Sequence, residues 1–259
     1  MLAKKEIKLY YFSGTGNTLR IAKEVIKQFD IYGYKSELIN MISIEPAKVR
    51  LDCIIGLAFP VAVQSTNPLV WNFINELPKS KKTPIFMFDT LEAFSGGVVG
   101  PVKKVLKAKG YECIGAKEFK MSSNMLISEK KAKERDEKNL KATLEVKRFV
   151  EALIHGEGKW RRIPVFSDLM RNISKEDLIW EKLNRKIKVD RTMCVQCGMC
   201  AKYCPTLSIK LTPYPSIQKS CISCMRCVNI CPKNAFTLKD RKVFQIKEVP
   251  VKELGSINN

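Results

Sequence analysis

Two copies of one cysteine run, offset by 27 residues, constrain this chain more than any other feature. The first is Cys194-Val-Gln-Cys197-Gly-Met-Cys200-Ala-Lys-Tyr-Cys204-Pro205, and the second is Cys221-Ile-Ser-Cys224-Met-Arg-Cys227-Val-Asn-Ile-Cys231-Pro232. Both read C-x2-C-x2-C-x3-C-P. Three thiolates two residues apart wrap three corners of an iron–sulfur cubane, and the fourth, before a proline that turns the chain away, supplies a corner to the other cluster. The spacing therefore predicts two [4Fe–4S] clusters. Cys194, Cys197, Cys200 and Cys231 are expected to hold cluster I, and Cys221, Cys224, Cys227 and Cys204 cluster II. Structural zinc sites use separated C-x2-C pairs or mix cysteine with histidine; the single histidine, His155, lies outside the runs. With every iron corner held by cysteine, the clusters offer a substrate no open position. Electron transfer is the expected work, and no catalytic residue is assigned.

The rest of the 259 residues is long enough for a second, larger unit. A hydrophobic share of 45% is that of a globular chain. No run of about 18 apolar residues suggests a membrane span, and the N-terminus reads as a strand rather than a secretory leader. A cytoplasmic protein is expected, and crowded cysteines in a reducing compartment read as metal ligands rather than disulfides. Cys53 and Cys113 sit in or beside apolar segments and are expected to be small core residues. The formal net charge is +20. Solubility or an acidic redox partner accounts for it as well as nucleic acid does, so no nucleic-acid role is expected. Residues 187–243 carry 10 Lys and Arg against 2 Asp and Glu. That surround is expected to raise cluster potentials and to favour an acidic docking partner.

Before the cysteine runs, strand-like and helix-like segments alternate. Apolar strands are expected at 6–12, 53–59 and 84–89, a short strand at 35–40 and a fifth at 111–120. Helices are expected at 17–29, 68–77, 98–109 and 129–155, the last ending at Gly156. Five βα units in series imply a doubly wound parallel sheet, an α/β fold, followed by a small α+β domain. The expected divisions are 1–158, a basic amphipathic helical linker at 159–186 with Ser174 as an N-cap, a cluster domain at 187–243, and a frayed C-terminal tail at 244–259.

The first strand runs into Ser13-Gly14-Thr15-Gly16-Asn17-Thr18. Glycines let successive N–H groups face one anion, and the following helix adds the positive end of its dipole. No lysine is present, which excludes a Walker A loop. A monophosphate held by neutral donors, among them the Ser13, Thr15, Asn17 and Thr18 side chains, fits better. Over residues 1–155 the chain resembles flavodoxin, through the S/T-x-T-G-N-T match after strand one. The resemblance implies FMN, with its phosphate in this loop. It places the isoalloxazine between Pro60-Val61-Ala62-Val63-Gln64-Ser65-Thr66 and Thr90-Leu91-Glu92-Ala93-Phe94-Ser95-Gly96-Gly97. The first of these loops carries no aromatic residue and the second only Phe94, so ring stacking is expected to be one-sided. Ser95, Gly96 and Gly97 are expected to offer backbone donors at the flavin edge.

The region 187–243 resembles bacterial two-cluster ferredoxins, and the whole chain resembles flavodoxin–ferredoxin fusions of anaerobes. The resemblance implies a carrier that relays electrons among two [4Fe–4S] clusters, FMN and a partner protein. The alternative is an FMN-dependent oxidoreductase that reduces a small acceptor such as a quinone. The oligomeric state is left open.

Overall fold

The computed structural model describes residues 4–94, 96–125, 130, 133–160, 172, 177–246 and 249–255. Its first unit runs β1 (Glu6–Tyr11), α1 (Asn17–Ile31), β2 (Lys35–Asn40), β3 (Ile54–Pro60), α2 (Pro68–Glu76), β4 (Pro84–Leu91), α3 (Val99–Ala108), β5 (Glu112–Lys120) and α4 (Arg135–Ile154). The strands form one parallel sheet in the order β2-β1-β3-β4-β5. β3 and β4 are near-continuous apolar runs because both faces of the sheet are covered. Ile54, Phe86, Phe88 and Phe119 pack with α1 and α4 on one face. Ile55, Leu57, Met87 and Cys53 pack with α2 and α3 on the other. The strand order reverses between β1 and β3, and in such sheets the crevice at the strands' carboxyl ends takes the ligand.

The second unit begins at α5 (Asp177–Asn184) and continues β6 (Ile187–Val189), α6 (Met199–Lys202), β7 (Ile209–Leu211), β8 (Pro215–Ile217), α7 (Arg226–Ile230), β9 (Phe236–Leu238) and β10 (Arg241–Lys242). β10, β9 and β6 form a small antiparallel sheet, and β7 and β8 a hairpin. The two cysteine runs have the same backbone. Left-handed residues fall at equivalent positions: Gln196 and Ser223 (φ 55 and 49), Gly198 and Met225 (φ 73 and 61), Leu207 and Asn234 (φ 52 and 48). Such turns point successive N–H groups into a concavity, which suits an anionic cluster.

The two units are not beads on a linker. Ile222 is buried in the α2/α3-side core with Cys224 against it, while Ile230 is buried in the α1/α4-side core with Tyr203 against it. Two expectations are corrected here. Lys159 and Trp160 do not open a linker helix: the Ala116 N–H donates to Lys159 O at 2.9 Å beside β5, and the Trp160 indole donates to Val99 O at 2.8 Å on α3. Residues 161–171 and 173–176, with the expected Ser174 cap, lie outside the described residues. The tail is ordered at 249–255, where Val251–Leu254 form a 3-10 turn. Leu254 is buried, its carbonyl accepts from Asn40 Nδ2 at 2.9 Å, the Tyr11 hydroxyl donates to Glu253 O at 3.0 Å, and Lys23 pairs with Glu253. No helix among the described residues is long and apolar enough to cross a membrane.

Asp89 in β4 is an exception inside an apolar layer. It is 0% exposed, and neither carboxylate oxygen has a hydrogen-bond partner among the described residues. Burial, with Glu118 beside it on β5, pushes its carboxyl well above the usual range. The folded state therefore binds this proton more tightly than the unfolded chain, whose aspartate titrates near pH 4. Stability is expected to fall as pH rises from about 4 toward the raised folded value. Asp89→Asn removes that slope and is expected to stabilise the protein at pH 8 by about 1–3 kcal/mol, with a smaller effect at pH 5. Urea melts at the two pH values check this. A variant equally destabilised at both would mean that the carboxyl has a partner.

Candidate functional site

The loop between β1 and α1 is built for an anion by its backbone. Gly16, at φ 114, caps α1 with no side-chain hydrogen bond to the first turn, so the helix's opening amides are not occupied by a cap. The Gly16 N–H donates to Ser13 Oγ at 3.1 Å, which closes the loop on itself. Two expected side-chain donors are engaged elsewhere. Asn17 Nδ2 donates to Ser122 O at 2.7 Å, and Thr18 Oγ1 bonds Thr90 Oγ1 at 2.8 Å. Ser13, Gly14, Thr15, Asn17 and Thr18 line a cavity of about 140 Å³ with Pro60, Val61, Thr90, Leu91 and the 121–125 segment. The structure thus brings the loop and the C-terminal ends of β3 and β4 to one hollow at the carboxyl ends of the strands. The 121–125 wall escaped the sequence reading, because no motif marks it.

The outer parts of the two flanking loops behave differently. Ala62 to Ser65 form a tight turn, with Val63 and Gln64 at φ 52 and 60. Ala62 and Val63 line a neighbouring cavity of about 90 Å³ that shares Pro60, Val61, Asn124 and Met125 with the first. Gly96 and Gly97 are buried, but the Gly97 N–H donates to Gln64 O at 2.7 Å and Gly97 O accepts from Ser65 Oγ at 2.9 Å. That amide ties the loops together and is not a free donor for a ligand. Phe94 is 52% exposed and lines neither cavity. Ser95 lies outside the described residues. The apolar cover comes instead from the second unit: Trp180 and Leu183 of α5, Ile222 and Cys224 line the smaller cavity. Sequence periodicity marks Trp180 as helical core, but nothing local reveals which unit it covers.

The eight cysteines fall into two sets. Cys194, Cys197, Cys200 and Cys231 line one small cavity, and desolvation, reinforced by the other three thiols, pushes Cys200 up to about 11. Cys221 lies within electrostatic reach of Cys224 and Cys204, and desolvation pushes it up to about 12. Cys227 is held well above the ordinary thiol value by desolvation and by Cys224, Cys221, Cys204 and, last, Cys200. Iron must displace these protons, so occupancy of each site is coupled to proton release. The repeat extends to the sulfurs' hydrogen bonds. The Ser208 N–H donates to Cys204 Sγ at 3.2 Å, and the Ala235 N–H to Cys231 Sγ at 3.3 Å, each four residues after its cysteine. Amides on sulfur stabilise cluster charge. No three cysteine, histidine or acidic side chains among the described residues gather around a single-ion position. A lone zinc would draw its sulfurs to about 2.3 Å from one point, whereas a cubane keeps its ligands apart. The donor set fits clusters.

The two parts of the site meet. A Cβ added to Gly14 would stand 2.1 Å from Cys224 O, so the second C-x2-C turn lies directly on the loop between β1 and α1. Arg226, the spacer between Cys224 and Cys227, is 1% exposed and reaches the same loop. Its Nη2 donates to Ser13 O at 2.7 Å and its Nε to Gly14 O at 3.4 Å. Asn184 at the end of α5 clamps the turn from the other side, donating to Cys221 O at 2.6 Å and accepting from Ser223 Oγ at 2.5 Å. The first run faces outward: Cys197, Val195 and Met193 are exposed.

Residues 187–210 and 215–237 match the model of the 4Fe-4S binding domain family. No curated protein matches the chain. Among solved structures, the Streptococcus pneumonia TIGR4 flavodoxin is 16% identical, with 58% of this chain and 98% of that one covered at a TM-score of 0.44. The Megasphaera elsdenii flavodoxin is 19% identical, with 54% and 98% covered at 0.40. The flavodiiron protein of Giardia intestinalis is 17% identical, with 59% of this chain but only 37% of that one covered at 0.40. The strand order β2-β1-β3-β4-β5 is itself the flavodoxin-like order. The chain thus joins an α/β unit of flavodoxin-like strand order to a segment that matches a 4Fe-4S binding domain.

Proposed function

We propose that this protein relays electrons within one chain, between two [4Fe–4S] clusters and FMN, and exchanges them with a redox partner. The observation that carries the reading is the contact of the Cys224 turn with Gly14, which joins a cluster-binding segment to a phosphate-binding loop. In this assignment Cys194, Cys197, Cys200 and Cys231 hold cluster I; Cys221, Cys224, Cys227 and Cys204 hold cluster II. The 13–18 loop receives the FMN phosphate, and Pro60, Val61, Thr90 and Leu91 line the space beyond it. Once bound, the clusters supply one-electron chemistry and the flavin one- or two-electron chemistry.

The chain's own residues give the relay an order. Cys197, Val195 and Met193 are exposed, so a cluster held by the first run would lie near the surface, within reach of a partner. The residues that would hold cluster II lie inboard, with Asn184 of α5 bonded to Cys221 and Cys224 packed against the α/β unit. Arg191, Lys202, Lys210 and Lys233 belong to the strongly basic stretch around the runs and favour an acidic partner. Holding donor and acceptor on one chain replaces an encounter by an intramolecular step.

Anaerobic purification with iron, acid-labile sulfide and flavin quantified per chain tests the cofactors. About eight irons and one FMN are expected. Flash reduction of the clusters then tests the relay. Flavin reduction should follow at a rate independent of protein concentration, and a rate proportional to concentration would remove the intramolecular step. A second reading, reduction of a small acceptor at the flavin, draws on the outward position of Phe94, which leaves that side without an aromatic lid. Steady turnover with a panel of quinones would favour it; none would eliminate it.

A further inference from the structure

Arg226 is buried in the seam between the units, and four of its five N–H groups donate to backbone carbonyls. Besides Ser13 O and Gly14 O, its Nη1 donates to Tyr203 O at 3.2 Å and to Gly255 O at 3.0 Å. It lies over the Phe12 ring at 5.8 Å. It stands between Cys224 and Cys227, two of the ligands assigned to cluster II, and the Cys224 backbone packs on Gly14, whose carbonyl Arg226 bonds. A guanidinium keeps its proton under nearly all conditions, so a buried positive charge stands here beside one cluster site.

The direction of its hydrogen bonds matters. In a trans peptide the C=O and the N–H point opposite ways. The Ser13 carbonyl shares its peptide with the Gly14 N–H, and the Gly14 carbonyl shares its peptide with the Thr15 N–H. Both carbonyls point at Arg226, so both amides point away from it. Ser13, Gly14 and Thr15 line the 140 Å³ cavity and Arg226 does not. Arg226 therefore grips the loop from behind and turns its donors forward.

We propose that Arg226 is the positioning residue of the phosphate loop, that cluster II is its counter-charge, and that anion binding in the loop is thereby coupled to cluster II. The inference rests on the cofactor assignment above and extends it to a residue that the cysteine motif leaves free. The coupling is reciprocal: whatever factor cluster II contributes to anion affinity, the bound anion returns to the cluster. Arg226 touches no reacting atom in this role.

Arg226→Gln and Arg226→Lys separate geometry from charge. The protein is purified anaerobically with its clusters, freed of flavin, and titrated with FMN by fluorescence quenching and with inorganic phosphate by competition. Cluster potentials are read by EPR-monitored redox titration, with circular dichroism as the folding control. In Arg226→Gln, the FMN Kd should rise about tenfold or more. The potential of one cluster should fall while the other stays, because a positive charge that favours the reduced state is gone. Arg226→Lys keeps the charge and loses the fork; its cluster potential should stay near wild type while FMN binding is weakened. If Arg226→Gln does not fold, the lysine variant carries the test through that split. Unchanged FMN affinity in either variant, or two unmoved potentials in Arg226→Gln, overturns the proposal. A wild-type protein that binds phosphate but not FMN sinks the cofactor reading and leaves the loop inference standing; one that binds neither sinks both.

Discussion

A methyl group added at Gly14 is expected to pry the cluster-bearing unit off the phosphate loop. The new Cβ would lie 2.1 Å from the Cys224 carbonyl oxygen and 3.1 Å from its carbon, with Cys224 Cβ at 3.2 Å. All three neighbours are backbone or Cβ atoms of Cys224, so none can swing away as the end of a flexible side chain would. Gly14 does not have a positive φ, so alanine meets no backbone penalty and the effect is one of overlap. Overpacking of this kind costs about 1–3 kcal/mol, or a Tm loss of about 3–10 °C at this chain length. Gly33→Ala is the contrast: it has open space but φ +74, so it carries strain of about 1 kcal/mol without touching the seam. In Gly14→Ala the EPR signal of one cluster should broaden or shift while the other is unchanged, and FMN affinity should fall. In Gly33→Ala both clusters and FMN affinity should match wild type. Undisturbed cluster signals in Gly14→Ala would mean that the two units do not meet at this loop in solution.

That contact shows where sequence reasoning stopped. The sheet is readable because its strands announce themselves: Cys53-Ile-Ile-Gly-Leu-Ala-Phe59 and Pro84-Ile-Phe-Met-Phe-Asp89 are apolar but for the terminal Asp89, as expected of strands covered on both faces. The observed β3 and β4 lie within two residues of those runs at each end. The cysteine runs were readable because their spacing is chemistry, and the repeated left-handed turns follow from the same need to aim amides at sulfur. Neither signal says how the two units face one another. Arg226 sits at a spacer position where the motif accepts any residue, and its partners Ser13 and Gly14 are more than 200 residues away.

The tail misled for a related reason. Pro250-Val-Lys-Glu-Leu254 is too short to show a period and too polar to look like core. Its order comes from tertiary contacts: Leu254 in the apolar layer, and the Glu253 and Leu254 carbonyls accepting from Tyr11 and Asn40. Asn17 and Thr18 were read as ligand donors because their types suit a phosphate. The structure engages them with Ser122 and Thr90, so the loop's capacity for an anion lies in its amides and the Ser13 and Thr15 hydroxyls. Side-chain chemistry was legible, whereas side-chain direction was not.

Removing Cys231 is expected to empty the cluster of the other run, not of its own. In the proposed assignment Cys231 completes the set of Cys194, Cys197 and Cys200, with which it lines one cavity, and Cys204 completes the set of Cys221, Cys224 and Cys227. Cys231→Ala should lower iron from about eight to about four per chain. The surviving cluster is then the inner one, and Arg226 keeps its counter-charge, so FMN affinity should hold while electron entry from a partner protein slows sharply. Cys204→Ala should also remove about four irons, yet its consequences differ. The buried guanidinium loses the charge that offsets its burial, and unpaired buried charges are strongly destabilising, by about 3–5 kcal/mol. The phosphate loop should loosen with it, so FMN affinity falls in this variant alone. Iron and sulfide analysis, EPR and FMN titration on the two variants separate these outcomes. If each run held its own cluster, the pattern would reverse: Cys231→Ala would strip the inner cluster and weaken FMN, and Cys204→Ala would leave the flavin site untouched.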